Sequence, residues 1–140
     1  GLLAQTLEAQ RRTETADPVE VRRPWGQYRV LEVGPRFKIK SVMVEPGQSL
    51  SLQRHQHRTE HWVVIRGTAH VTIDGRTYAV HEGESTFVPK EALHRLSNPA
   101  GEPLELIEVQ NGEYVGEDDI ERVEDAYGRT DQHQTGSGRR

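Results

Sequence analysis

Between residues 23 and 110 the chain is cut by Gly, Pro, Asp and Asn into segments of about five to eight residues, and this punctuation restricts the fold more than any other feature. Residues 28–33, 37–44, 60–66, 68–74, 76–81, 85–89, 92–96 and 104–110 are rich in β-branched and aromatic residues or alternate apolar with polar. Such short, evenly punctuated runs predict an all-β barrel or sandwich of about eight or nine strands, with few connections long enough for a helix. Asp74-Gly75, between residues 68–74 and 76–81, is a two-residue hairpin signal. In residues 37–44, Lys38, Lys40, Val42 and Val44 share one face and Phe37, Ile39, Ser41 and Met43 the other.

The two ends have a different texture. Residues 1–22 start with Leu3 and Leu7 one helical turn apart and then become polar, with a break at Asp17-Pro18. So short a helix is marginal alone, and the stretch reads as a linker or the end of a preceding domain. Residues 117–128 read as a short helix: Glu117, Asp118 and Asp119 suit the positive end of its dipole, Ile120, Val123 and Tyr127 form a stripe, and Gly128 can stop it. The expected domain is therefore 23–129, with short flanking helices, followed by a polar, Gly-rich, disordered tail at 130–140.

Composition removes several function classes. At 140 residues the chain suits one domain. Its net charge of -4, from 22 acidic and 18 basic residues, provides no general field for nucleic acid. With no cysteine there is no disulfide framework, thiolate ligand or thiol nucleophile. Hydrophobic residues make up 33% of the chain, with no membrane-length run and no signal-peptide core, so a soluble cytoplasmic protein is expected.

The chemistry is concentrated after Gly47. Counting from it, the spacing is five residues to Gln53, one to His55, four to Glu60 and six to Gly67. Positions two apart on a strand face the same way, so Gln53 and His55 project together, and Glu60 can return on an antiparallel neighbour. Three ligands then converge from one hairpin. A second segment, Gly83, five residues, Pro89, then His94, three residues and Asn98, offers His94 as the fourth ligand from another strand. His61 adjoins Glu60 and faces away from it; His57 and His61 are then neighbours of the site. His70, His81 and His133 read as surface residues, and Trp25 and Trp62 as core or dimer-contact aromatics.

These two segments resemble the paired motifs of the cupin superfamily, small antiparallel β-barrels with a metal in the barrel mouth. Gln53 stands where that superfamily usually has His, and Glu91 where it usually has Gly. The flanks narrow the resemblance: Arg23-Pro24-Trp25-Gly26-Gln27-Tyr28, Leu50-Ser51-Leu52-Gln53, Arg58-Thr59-Glu60-His61-Trp62, His94-Arg95-Leu96 and Ile107-Glu108-Val109-Gln110 look like the type II mannose-6-phosphate isomerase domain. In that family Gln is expected at the first ligand position. The domain occurs alone or joined to a mannose-1-phosphate guanylyltransferase, so a covalently linked nucleotidyltransferase domain is an implied partner.

The resemblance implies a single cupin barrel, a double-stranded β-helix or jelly roll, that interconverts mannose 6-phosphate and fructose 6-phosphate and so feeds GDP-mannose synthesis. The reaction requires a base, stabilisation of a developing oxyanion and a phosphate anchor. Two imidazoles, one amide and one carboxylate leave a divalent ion with net positive charge, and nitrogen and oxygen ligands suit zinc, manganese, iron, cobalt or nickel. Arg58, Arg95 and Lys40 are the phosphate candidates. Lys40, Glu45, His57 and His61 are the proton-transfer candidates; on an apolar barrel face the Lys40 amine would lose basicity. A homodimer is expected, because a barrel this small leaves edge strands to pair. The competing expectation is a non-catalytic metal- or sugar-binding domain that dimerises a larger guanylyltransferase.

Overall fold

The computed structural model describes residues 19–124, and every element in them is a strand. Eleven strands form two antiparallel sheets. The first, in the order β1-β2-β3-β10-β5-β8, contains β1 (Glu20–Arg23), β2 (Gly26–Val33), β3 (Phe37–Val44), β5 (Arg58–Arg66), β8 (Ser85–Val88) and β10 (Leu104–Gly112). The second, in the order β11-β4-β9-β6-β7, contains β4 (Leu52–Arg54), β6 (Thr68–Ile73), β7 (Arg76–His81), β9 (His94–Ser97) and β11 (Glu121–Glu124). The sheets are open at their edges and share one core.

That core follows from strand alternation. Val42 and Val44 of β3, Trp62 and Val64 of β5, and Leu104 and Leu106 of β10 meet Ala69, Val71, Val80 and Leu96 of the second sheet. Fully burying side chains of this size contributes about 1.5–3 kcal/mol each. β3 alternates half-buried and buried along its whole length, and its buried face carries Lys38, Lys40, Val42 and Val44. The inner face of the first sheet therefore grades from polar to apolar in register rows: Lys38, Gln110 and Glu60, then Lys40, Glu108 and Trp62, then Val42, Leu106 and Val64. The first two rows are where a site can form, because apolar side chains alone fill the third.

Local sequence explains the corners. Ile73 pairs with Arg76 across Asp74-Gly75, whose φ angles of 48° and 85° are both positive, the geometry of a type I′ turn. Asn98 ties the ends of the sheets together: its Nδ2 donates to the carbonyls of Val44 at 3.0 Å and Glu102 at 2.8 Å.

Two expectations need correction. Residues 52–66 do not form a hairpin, because β4 pairs with β9 and β11 whereas β5 pairs with β10 and β8. The chain changes sheets at residues 55–57, so the metal-ligand candidates approach one another across the interior between the sheets. Nor do residues 117–124 form a helix. Glu117 and Asp118 make a turn, and Glu121–Glu124 adds to the edge of β4. A helix of this length is marginal, and here tertiary hydrogen bonds to the Asp119 carboxylate, from the amides of Gln56 at 2.9 Å and His57 at 3.0 Å, win instead. β1 takes in the last residues of the stretch read as a linker. The expected N-terminal helix and the 130–140 tail lie outside the described residues. Among the described residues no helix is long and apolar enough to cross a membrane.

Candidate metal centre

His55, Glu60 and His94 are all buried, and one potential ligand atom from each lies within 4.8 Å of the other two. Each comes from a different element: His55 from the corner after β4, Glu60 from β5 and His94 from the start of β9. Gln53 is the direct register partner of His94, so both side chains leave the same face of the second sheet. The Gln53 amide donates to the Ser51 hydroxyl at 3.0 Å, which leaves its carbonyl oxygen as the donor atom available to a cation.

The hydrogen bonds set the tautomers. Nδ1 of His55 lies 2.6 Å from the Asp119 carbonyl, and Nδ1 of His94 lies 3.0 Å from the Ala92 carbonyl. A carbonyl only accepts, so each Nδ1 carries a proton, and Nε2 is the nitrogen that each ring can offer to a cation. Burial first, then Arg58 and His94, outweigh the attraction of Glu60 and lower the His55 pKa to about 4, so this imidazole is neutral at pH 7. Burial works against the Glu60 charge, but His55, Arg58 and His94 overcome it and hold the carboxyl well below the usual carboxylate range. Its Oε1 also accepts the Trp62 indole N–H at 2.9 Å. Nε2 of His55 and Oε2 of Glu60 stand 3.1 Å apart. Two lone-pair atoms at that distance require positive charge beside them. A neutral His55, an ionised carboxylate and two imidazoles anchored through Nδ1 together fit a divalent ion.

Arg58 supplies positive charge there. Its Nε donates to Glu60 Oε2 at 2.9 Å, Nη2 lies 3.2 Å from His55 Nε2, and Nη1 donates to the Gly116 carbonyl at 3.3 Å. Its guanidinium is thus engaged by the candidate ligands themselves. Gly112, the cross-strand partner of Arg58, makes room for this corner, since a Cβ there would lie 2.1 Å from the His57 carbonyl oxygen.

The cluster opens into a pocket between the sheets lined by Lys40, Gln53, Arg58, Glu60, His94, Arg95 and Glu108, among others. Five basic side chains line it, Arg23, Lys40, Arg58, Arg95 and Arg122, against the three carboxylates Glu60, Glu108 and Glu117. Of the four proton-transfer candidates, only Lys40 lies there. Glu45 is exposed at the opposite end of β3, where its amide bonds the Trp25 carbonyl. His57 has a 52% exposed side chain and packs against Asp119 and Tyr114. His61 is exposed on the outer face of β5 against Phe87. The structure keeps these three outside the pocket, because two point to solvent and alternation carries His61 outward.

Three residues to which the sequence pattern gave no role at the site belong to the surroundings of the cluster. Glu117 accepts from Lys38 at 2.8 Å and Lys40 at 2.9 Å, and this pairing prevails over burial to lower its pKa to about 2. It is therefore a counter-charge for two buried lysines rather than a helix cap. Asp119 orients His55 through its carbonyl and holds the corner through its carboxylate. Burial opposes that charge, but the amides of Gln56 and His57 keep the carboxyl pKa below its usual value. Glu108 was visible only as part of the Ile107–Gln110 resemblance; a cross-strand register was needed to place it beside Lys40.

Two antiparallel sheets around an inward His/His/Glu cluster define the class. An RmlC-like cupin from Shewanella frigidimarina has the same fold, with a TM-score of 0.64 at 19% identity over 74% of this chain and 89% of that one. The family profile described as mannose-6-phosphate isomerase C-terminal matches residues 10–125, and the chain belongs to that family. The alginate biosynthesis protein AlgA of Pseudomonas putida is 55% identical over 128 residues, covering 91% of this chain and 26% of AlgA. The mannose-1-phosphate guanylyltransferase ManC of Salmonella typhimurium is 47% identical over 127 residues, covering 91% of this chain and 26% of ManC. The chain thus spans about a quarter of the length of these curated relatives.

Proposed function

We propose that residues 23–129 form a metal-dependent aldose–ketose isomerase domain on a single cupin barrel, converting mannose 6-phosphate and fructose 6-phosphate into one another. One observation carries the reading: a cation-competent cluster, His55, Glu60 and His94, opens into the pocket that also collects five basic side chains. A neutral sugar would not need that excess of positive charge; a phosphorylated one does. Family membership supports the same substrate class.

In this reading Gln53 is the fourth ligand, through its carbonyl oxygen, and zinc, manganese, iron, cobalt and nickel all suit the set. The bound ion supplies Lewis acidity toward the sugar oxygens. The protein's own part is orientation. Asp119 and Ala92 hold the imidazoles through Nδ1, Trp62 and Arg58 hold Glu60, and Arg95 presents charge to the phosphate. The test is to give mannose 6-phosphate to the metal-loaded chain before and after chelation. Formation of fructose 6-phosphate that chelation abolishes is expected, and no product from the loaded chain would sink the enzyme reading.

A second reading has its own support. The relatives are about four times longer, and one carries a guanylyltransferase name, so the domain can serve chiefly to dimerise a larger transferase, with residues 1–22 as its linker. Exposed Ile65, Tyr78 and Phe87 provide apolar surface for a second copy. Mannose 6-phosphate that raises the melting temperature without being turned over would favour it.

A further inference from the structure

Of the three carboxylates in the pocket, two are committed. Glu60 is bonded to Arg58 and Trp62, and Glu117 is paired with Lys38 and Lys40. The third, Glu108, has no cation within ion-pair distance among the described residues, and its Oε2 accepts the Gln110 side-chain amide at 2.5 Å. It leaves β10 between Lys40 on β3 and Trp62 on β5, one register row from Glu60. Its face of the first sheet looks across the pocket at His94 and Gln53. A substrate held at the cluster would therefore meet Glu108 from the side opposite the second sheet.

The groups around it tune it for exchange. Burial, then the negative charge of Glu60, raise the Glu108 pKa to about 7, against Lys40, the Gln110 hydrogen bond and Arg58, which all act to lower it. A group that titrates near the working pH both takes and returns a proton readily. The other candidates do not compete: Glu45, His57 and His61 lie outside the pocket, and the Lys40 ammonium donates to Glu117.

We infer that Glu108 is the catalytic residue that carries a proton between C1 and C2 of the sugar phosphate, an inference that rests on the isomerase reading above. The C2–H bond breaks, its proton joins a Glu108 oxygen, its electron pair forms the C1=C2 bond, and the aldehyde π pair moves to O1. The O2 hydroxyl proton then passes to O1. O2 forms the ketone, and the C1=C2 pair takes the proton back from Glu108 at C1. Atoms and electrons balance with no further reactant.

The test compares the metal-saturated chain with Glu108→Gln. A fall in kcat of roughly 10²–10⁴-fold is expected, with metal content and KM close to the original. In heavy water the original chain should place deuterium at C2 of recovered mannose 6-phosphate or C1 of fructose 6-phosphate, and the variant should not. Glu108→Asp, which withdraws the carboxylate by one methylene, should retain a measurable part of both signals and serves if the Gln variant does not fold. If neither folds, the pH profile of the unsubstituted chain decides: kcat that falls through one ionisation as the pH is lowered is expected, and a rate flat from about pH 5 to 8 overturns the assignment. A folded, metal-bound Gln variant with kcat within about threefold also overturns it, while leaving the isomerase reading intact. If the unsubstituted chain makes no fructose 6-phosphate, the isomerase reading itself has failed.

Discussion

Nδ1 of His55 meets the backbone carbonyl of Asp119 at 2.6 Å, across 64 positions of sequence, and that bond decides which nitrogen of His55 keeps its lone pair. The Asp119 carboxylate anchors the same corner through two amides. Asp119→Ala removes two backbone hydrogen bonds and the His57 ring contact at 3.3 Å from a charged acceptor and frees the segment that carries the carbonyl. A destabilisation of about 1.5–3 kcal/mol and a loss of metal affinity of roughly 10–100-fold are expected, read by urea unfolding and by metal titration. Unchanged affinity would remove Asp119 from the support of the ligand set.

Glu60 is both a candidate ligand and the partner of buried Arg58. Glu60→Gln leaves the Arg58 guanidinium without its carboxylate, and breaking a buried pair in this way costs about 3–5 kcal/mol. The metal-free variant should therefore unfold at lower denaturant than the metal-free original and should bind less than one ion per chain by elemental analysis. A variant that is equally stable would mean that the pair adds nothing to the fold.

The pH dependence of the metal-free chain follows from His55. Its folded pKa, about 4, lies below the unfolded value of 6.5. Between these the unfolded state binds the extra proton, so stability rises with pH across this window and is fully present above about 6.5. The total is on the order of 3 kcal/mol at most. Urea midpoints from about pH 4 to 7, compared with those of His55→Ala, check it; parallel curves would assign the slope elsewhere.

Glu117 contributes with the same sign over a lower pH window. Its folded pKa of about 2 lies below the usual 4.5, so the stability that it adds is present above about 4.5 and is lost as pH falls toward 2. Its side chain is 45% exposed, and solvent screening keeps this contribution to about 1 kcal/mol or less. Glu117→Gln should destabilise the chain at pH 7 by about that amount, with the difference from the original shrinking below about pH 4.5. A difference that is constant with pH would show that charge is not the cause.

Much of the fold was legible because strand alternation and turn chemistry are local. Asp74-Gly75 announced its hairpin, and the Lys38, Lys40, Val42, Val44 face could be read residue by residue. Residues 117–124 were misread for the same reason in reverse. Their helical stripe is also local, but two amides of a distant corner and the open edge of β4 offered more than an isolated helix of that length. In the candidate site, His55, Glu60 and His94 stood out by spacing. Glu108 did not, since one carboxylate within an apolar strand looks the same whether it faces solvent or a pocket.

By itself the sequence determined an all-β chain, the residue types able to hold a cation and the family to which they belong, because each is written in short-range pattern. Only the tertiary structure decided which sheet receives each strand, that the candidate ligands meet across the interior rather than along a hairpin, and which charges are paired. Glu117 pairs with two lysines, while Glu108 has no cation within ion-pair distance among the described residues. Proton affinity depends on burial and on neighbours brought together by strand register, and neither is a property of a residue's place in the chain.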